Sequence, residues 1–244
     1  MLSTILLQRP AKSIDDVVAI MTAIDQALPP ADGLKWFNRL YLRVTEAVRT
    51  AAGTATAFHD EPFMHRLDVV FANLYFDAAA AGDVDPSTAP PAWQPLFQAR
   101  TTMNLLPLQL ALAGMNAHIN RDLPAAIVAT YGELGGAPSD ADPRHDDFER
   151  INAILEAVET QIKPEFAAGV IKDLDEIAAP VDDIGAMWSV RAAREAAWTN
   201  AEVLWQLKPV PALQQSFFDR LDRLTGFAGR GMLVPVVPAS AGSS

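Results

Sequence analysis

Apolar positions recur at three- and four-residue spacing along almost the whole chain, which predicts helix after helix. Ser13-Ile-Asp-Asp16 reads as a helix start with Ser13 as N-cap, and that helix runs to Pro29-Pro30. A second helix is expected from Leu34 to Ala51, ending near Gly53, with Trp36, Leu40, Val44 and Ala47 on one face. Asp60 or Glu61 caps a third, from Pro62 to Ala80, ending at Gly82. Prolines crowd the stretch from Asp83 to Pro95, which reads as a loop leading into a short helix from Trp93 to Arg100. The central helix is long, from about Leu105 to Thr130, and Pro124 inside it is expected to kink or end it.

A Gly/Asp/Pro-rich connection covers Gly132 to Pro143, and Asp142-Pro143 supplies an N-cap and first-turn proline for a helix reaching about Lys163. Further helices are expected after Pro164, from Ile184 to Leu207 and from Pro211 to Thr225. No alternating pattern of useful length suggests a strand. The run Leu233-Val-Pro-Val-Val237 contains a proline and lies in a Pro/Ala/Gly/Ser-rich end. The expectation is an all-α protein: a compact bundle of about eight helices around a long central one. It would fill residues 1–230 as a single domain, with 231–244 as a disordered tail.

Composition narrows the partners. The chain has 244 residues, half of them apolar, enough for a sizeable core. Its net charge of −11 disfavours general binding of nucleic acid or anionic membrane. No stretch approaches the roughly 18 apolar residues of a membrane span. The N-terminal apolar run is short and lacks a basic leader, so a cytoplasmic location is expected. With no cysteine there are no disulfides, thiolate ligands or cysteine nucleophiles. Oligomeric state is not legible.

The candidate chemistry lies in a pair of matched motifs, His118-Ile-Asn-Arg-Asp122 and His145-Asp-Asp-Phe-Glu149. Each sets an imidazole four residues before a carboxylate, on one face of a helix. An intrahelical pair is the plain reading, but the favoured order puts the acid first. Around the first motif, Ala111, Met115, His118 and Asp122 form one stripe, while Gln109, Asn116 and Asn120 form another. Polar stripes on a helix so rich in leucine need partners, and Asn116 and Asn120 can find them in neighbouring backbone. His145 falls in a first helical turn, where the macrodipole disfavours a protonated imidazole.

Asp68, flanked by Leu67, Val69 and Val70 and three residues from His65, is a further candidate. Nitrogen and oxygen donors without sulfur suit zinc, manganese or iron, and metal-bound water would then be the nucleophile. The candidate ligands are Asp68, His118, Asp122, His145 and Glu149; the candidate catalytic side chains are Asp68, Asn116, His118, Asn120 and Arg121. Trp198 and Trp205, seven apart on the helix that also holds Trp188, read as core. Arg191 and Arg194 are able to hold a phosphate or carboxylate, with a solvated or ion-paired role as the plainer alternative. No nucleophile elbow and no nucleotide or flavin motif is present: Gly132-Glu-Leu-Gly-Gly136 lacks both the preceding strand and the lysine of a phosphate loop.

Some of these segments resemble known families. Ala113-Gly-Met-Asn-Ala-His-Ile-Asn-Arg-Asp-Leu-Pro124, with Asp32-Gly-Leu-Lys-Trp-Phe-Asn-Arg39 and Leu67-Asp-Val-Val-Phe-Ala72, looks like an uncharacterised bacterial family common in actinobacteria, which implies no activity. The spacing of the His-x3-Asp and His-x3-Glu motifs is similar to that of the helical zinc-dependent phospholipase C and P1 nuclease superfamily. That resemblance implies an all-α fold, His118, Asp122, His145 and Glu149 as metal ligands, and Asp68 as the aspartate from an earlier helix. The chain departs from it in starting at Met1 instead of a ligating tryptophan, and in having Ala125, Ala126 and Ile127 where another histidine is expected. A site of reduced nuclearity is implied.

The leading expectation is therefore a metal-dependent hydrolase of a phosphoester or related ester, acting on a small-molecule substrate. One alternative is a metal-free helical pocket that binds, isomerises or cyclises a small apolar molecule, with a histidine at its base and aromatic and Met side chains around it. Another is a non-catalytic helical protein whose polar stripes fix register.

Overall fold

A computed structural model describes residues 2–52, 58–102, 104–168 and 189–235. Among them there are helices and turns and no strand. The helices are α1 (Leu2–Ile5), α2 (Ile14–Ala27), α3 (Gly33–Ala52), α4 (Glu61–Val84), α5 (Gln94–Ala99), α6 (Pro107–Ala117), α7 (Leu123–Leu134), α8 (Pro143–Ala168), α9 (Val190–Gln206) and α10 (Pro211–Met232). A single π turn, His118–Asp122, joins α6 to α7. None of these helices is long and apolar enough to cross a membrane.

Local capping sets several starts. Ser13 accepts from Asp16 N–H while the Asp16 carboxylate accepts from Ser13 N–H, a reciprocal capping box for α2. Asp60 accepts from Phe63 N–H at α4, and Asp142 from Arg144 N–H at α8. Asp147, fully buried near the start of α8, accepts from the backbone N–H groups of His59 and Asp60, both at 2.8 Å. One carboxylate thereby ties the approach to α4 onto α8.

Helices α4 and α10 are among those that outrun their expected ends. Helix α4 continues through Gly82 to Val84, and the Phe97 ring lies 2.4 Å from where a Cβ at position 82 would sit. The glycine is there for close approach, and it does not act as a stop. Helix α10 continues past Thr225 to Met232, and Gln109 Nε2 donates to the carbonyls of Met232 and Val234. Residues 231–235 of the expected tail are described, with Met232 and Val234 held by Gln109, and 236–244 lie outside the described residues. So do Trp188 and the expected helix start at Ile184, whereas α8 runs through Pro164 without a break.

The segment from α6 to α7 is the axis of the molecule. Helices α3, α4, α9 and α10 pack around it, and α8 leans on α3 and α4. Every residue of α6 from Gln109 to Ala117 is buried. At Gly114 an added Cβ would lie 2.5 Å from the Phe37 ring, so the missing side chain is what lets α3 press onto α6.

Pro124 explains the π turn. It lies in the first turn of α7, cannot donate a backbone N–H, and crowds the carbonyl four residues earlier. The chain absorbs this with one wider turn, in which Leu123 N–H donates to His118 O, five residues back. The expected kink is thus a change of helical register, and it begins at His118.

Candidate functional site

The π turn presents His118 and Asp122 to each other inside the core, with His118 1 % exposed and Asp122 fully buried. His118 Nδ1 lies 3.0 Å from Asp122 Oδ2. The same carboxylate accepts from Trp93 Nε1 at 2.9 Å, and from Arg121 Nη1 on its other oxygen at 2.5 Å. Arg121 reaches onward to Asp222 at 3.2 Å and lies over the Phe218 ring. Burial pulls the Arg121 guanidinium down, but Asp122 and Asp222 outweigh it and hold the group above its ordinary value. Asp222 in turn accepts from Ala92 N–H at 2.7 Å. The result is a chain of alternating charge running from the core toward α10.

This arrangement fixes the state of the imidazole. A carboxylate oxygen only accepts, so Nδ1 carries the proton and Nε2 is left with a lone pair. Burial lowers the basicity of His118, and Asp122 only partly opposes it. The ring is clamped by aromatics: Phe71 stacks on it at 3.5 Å with an interplanar angle of 4°, and Tyr41 meets it edge-on at 4.6 Å. Phe37, Tyr75 and Trp93 stand around it at about 6 Å. Nε2 is buried and has no hydrogen-bond partner.

A cavity of about 70 Å³ adjoins this ring. Its wall comes from α3 (Tyr41, Val44, Val48), α4 (Met64, Leu67, Asp68, Phe71), Met115, His118, Ile119 and Leu123 at and around the π turn, α8 (Phe148, Ile151, Leu155) and Arg194 of α9. The volume exceeds the roughly 10–15 Å³ needed for one water, and the wall is mostly aliphatic and aromatic. Asp68 stands in it with Oδ2 shielded and unpartnered. Desolvation pushes its carboxyl up to about 7. The Tyr41 hydroxyl is likewise buried and unbonded. Burial first, then the nearby Asp68 and Asp122, hold it well above the ordinary tyrosine value.

The chain belongs to the DUF5995 family of unknown function. That family's sequence model matches residues 14–235, from the first residue of α2 to just past α10, and so contains every side chain of the cavity. No curated protein and no solved structure matches. In this DUF5995 chain, function has to be read from the site itself.

The expected site residues divide. Asp68 and His118 meet at the cavity, and Asp122 holds His118 from behind. Asn116 and Asn120 lie on the other side: Asn116 Nδ2 donates to Thr225 O of α10, and Asn120 Nδ2 to Asn116 Oδ1. They serve the α6–α10 contact, as Gln109 does. Arg121 neutralises Asp122 and does not line the cavity.

The second motif behaves differently. His145 does not pair with Glu149; its ring lies against Trp198 at 4.7 Å and its Nδ1 is 3.9 Å from Asp140. Glu149 accepts from Asn152 through Oε2, leaving Oε1 buried and unpartnered. Among the described residues, no three His, Asp or Glu side chains come together closely enough to hold a metal ion. His65 pairs at the surface with Glu61, and His59 with Arg150.

Several cavity residues were not singled out by sequence. Tyr41 and Phe71 have no polar signature to mark them, and only the helical spacing of Phe37 and Tyr41 hints that they share a buried face. Arg194 was visible as a cation able to hold an anion, but its near-complete burial was not.

Proposed function

We propose that this protein binds a small, mainly apolar molecule in the cavity beside His118 and moves a proton on it. His118 Nε2 accepts the proton, and Asp68 supplies one elsewhere on the same molecule. The observation that carries this reading is the single unpaired nitrogen of a buried histidine whose other nitrogen is fixed by a buried carboxylate. An orphaned buried acceptor is costly unless something occupies the space before it. Asp122 orients the ring and stabilises the imidazolium that forms during transfer, as a carboxylate behind a catalytic imidazole does. Asp68, with a pKa near 7, is populated in both forms at neutral pH and suits a general acid.

A metal-dependent hydrolase needs His118, Asp122, His145 and a carboxylate to converge, and the described donors favour the metal-free reading instead. Met64 and Met115 line the cavity and report on its occupancy through their methyl NMR signals. Phenol, an apolar ring with one O–H donor, is expected to shift both methyls in the wild type, and more weakly in His118→Gln. Cyclohexanone in D2O is expected to take up deuterium at its α-carbons faster with the wild type than with His118→Gln. Unmoved methyls, or uptake equal in the two proteins, would remove the reading.

A further inference from the structure

Arg194 stands on the cavity wall and takes no part in that proton transfer. It is 6 % exposed. A guanidinium carries five N–H donors, and those of Arg194 reach Asn152 Oδ1 at 2.8 Å and Phe148 O at 2.6 Å. Both acceptors are neutral. The group also lies over the Phe148 ring at 3.9 Å. Among the described residues no carboxylate oxygen lies within ion-pair distance, 4.0 Å, of its nitrogens. Glu149 is near enough to be felt, yet burial dominates and draws Arg194 down to about 10. Hydrogen-bonded only to neutral acceptors among the described residues, with Glu149 beyond ion-pair distance, the guanidinium keeps donor capacity beside an open space. The guanidinium fork matches a carboxylate, which takes two N–H donors side by side.

We infer that the cavity ligand is a small monocarboxylic acid, with its carboxylate on Arg194 and its apolar body against Phe71 and Met115. A phosphate fits less well. It brings more negative charge than a single guanidinium balances, and the acidic neighbours Asp68 and Glu149 oppose it.

The inference rests on the cavity reading above, and its test uses affinity as the readout. Butanoate and butanamide have nearly the same shape and differ in charge. At pH 7 the wild type is expected to prefer butanoate by about 10- to 100-fold, the range of a charge-assisted hydrogen bond lost. Arg194→Met is expected to bind the two alike, and Arg194→Lys, which keeps the cation, to retain a preference for butanoate. Equal affinity in the wild type, binding of neither probe, or a full preference surviving in Arg194→Met overturns the inference. Should Arg194→Met fail to fold, the wild type and Arg194→Lys still decide. Deuterium uptake is measured separately: a carboxylate preference without uptake keeps this inference and removes the proton-transfer reading, and uptake without preference does the reverse.

Discussion

Two segments of this protein carry the same spelling, a histidine four residues before an acid, and the fold uses them in unlike ways. At His118–Asp122 the spacing falls on a π turn in the middle of the molecule, where Trp93, Arg121 and Phe71 complete a buried, charged and aromatic cluster. At His145–Glu149 it falls in the first turn of α8, where Trp198 takes the histidine and Asn152 the glutamate. Spacing puts two side chains on one face of a helix. Whether they meet depends on what the neighbouring helices offer each of them. Burial then sets how much the meeting matters.

The sharpest way to break the comparison is to remove both acids. Asp122→Ala leaves Arg121, Trp93 and His118 without their shared acceptor, and is expected to cost about 3–5 kcal/mol in urea unfolding. Glu149→Ala removes one bond to Asn152 and should cost about 1 kcal/mol. Equal losses would mean the two motifs are held alike. Next in size is Gly114→Ala, whose methyl meets the Phe37 ring and is expected to cost about 1–3 kcal/mol by overpacking.

Asp68→Asn separates the cavity from the core electrostatically. An aspartate whose pKa is raised from 3.8 to about 7 binds more protons folded than unfolded. Stability therefore falls as pH rises across that window and stays low above it. Asparagine abolishes the fall, so the variant is expected to gain about 1–2 kcal/mol over the wild type at pH 8 and to match it near pH 3.5, a gain kept below the full shift because the residue is not wholly shielded. A wild-type curve that rises through this window, with no gain for the variant, would contradict a desolvated Asp68. His145→Gln should change least, within about 1 kcal/mol at neutral pH, because the ring packs beside Trp198 and makes no close ion pair.

What was legible in the sequence was what is decided locally. The caps at Ser13 and Asp142-Pro143 stand as read, and the cap left open between Asp60 and Glu61 falls to Asp60, because a side chain and a backbone N–H two or three residues away settle them. The all-helical class followed from the spacing of apolar residues, and the burial of α6 from its leucines. Other features depend on distant residues. Gly82 looked like a helix end until Phe97, fifteen positions on, claimed the space of its side chain. Pro124 announced a break, but the place and form of that break depend on how α6 and α7 are gripped by four other helices. Arg194 gave no sign of being buried, since that requires Phe148 and Asn152 from α8 to fold over it. The site was half legible for the same reason: the His118–Asp122 pair is local, and the cavity beside it is built by helices far away in sequence.

The central claim is that Asp122 holds His118 as a neutral imidazole with its proton on Nδ1 and a free lone pair on Nε2. Side-chain 15N NMR of histidine-labelled protein reads this directly, with His145 in the same spectrum for comparison. Near pH 7 the His118 ring is predicted to show a protonated Nδ1 and an unprotonated Nε2, and the Nε2 signal is predicted to move when a proton-donating ligand enters the cavity. A proton on Nε2, or a doubly protonated ring at that pH, would contradict the account.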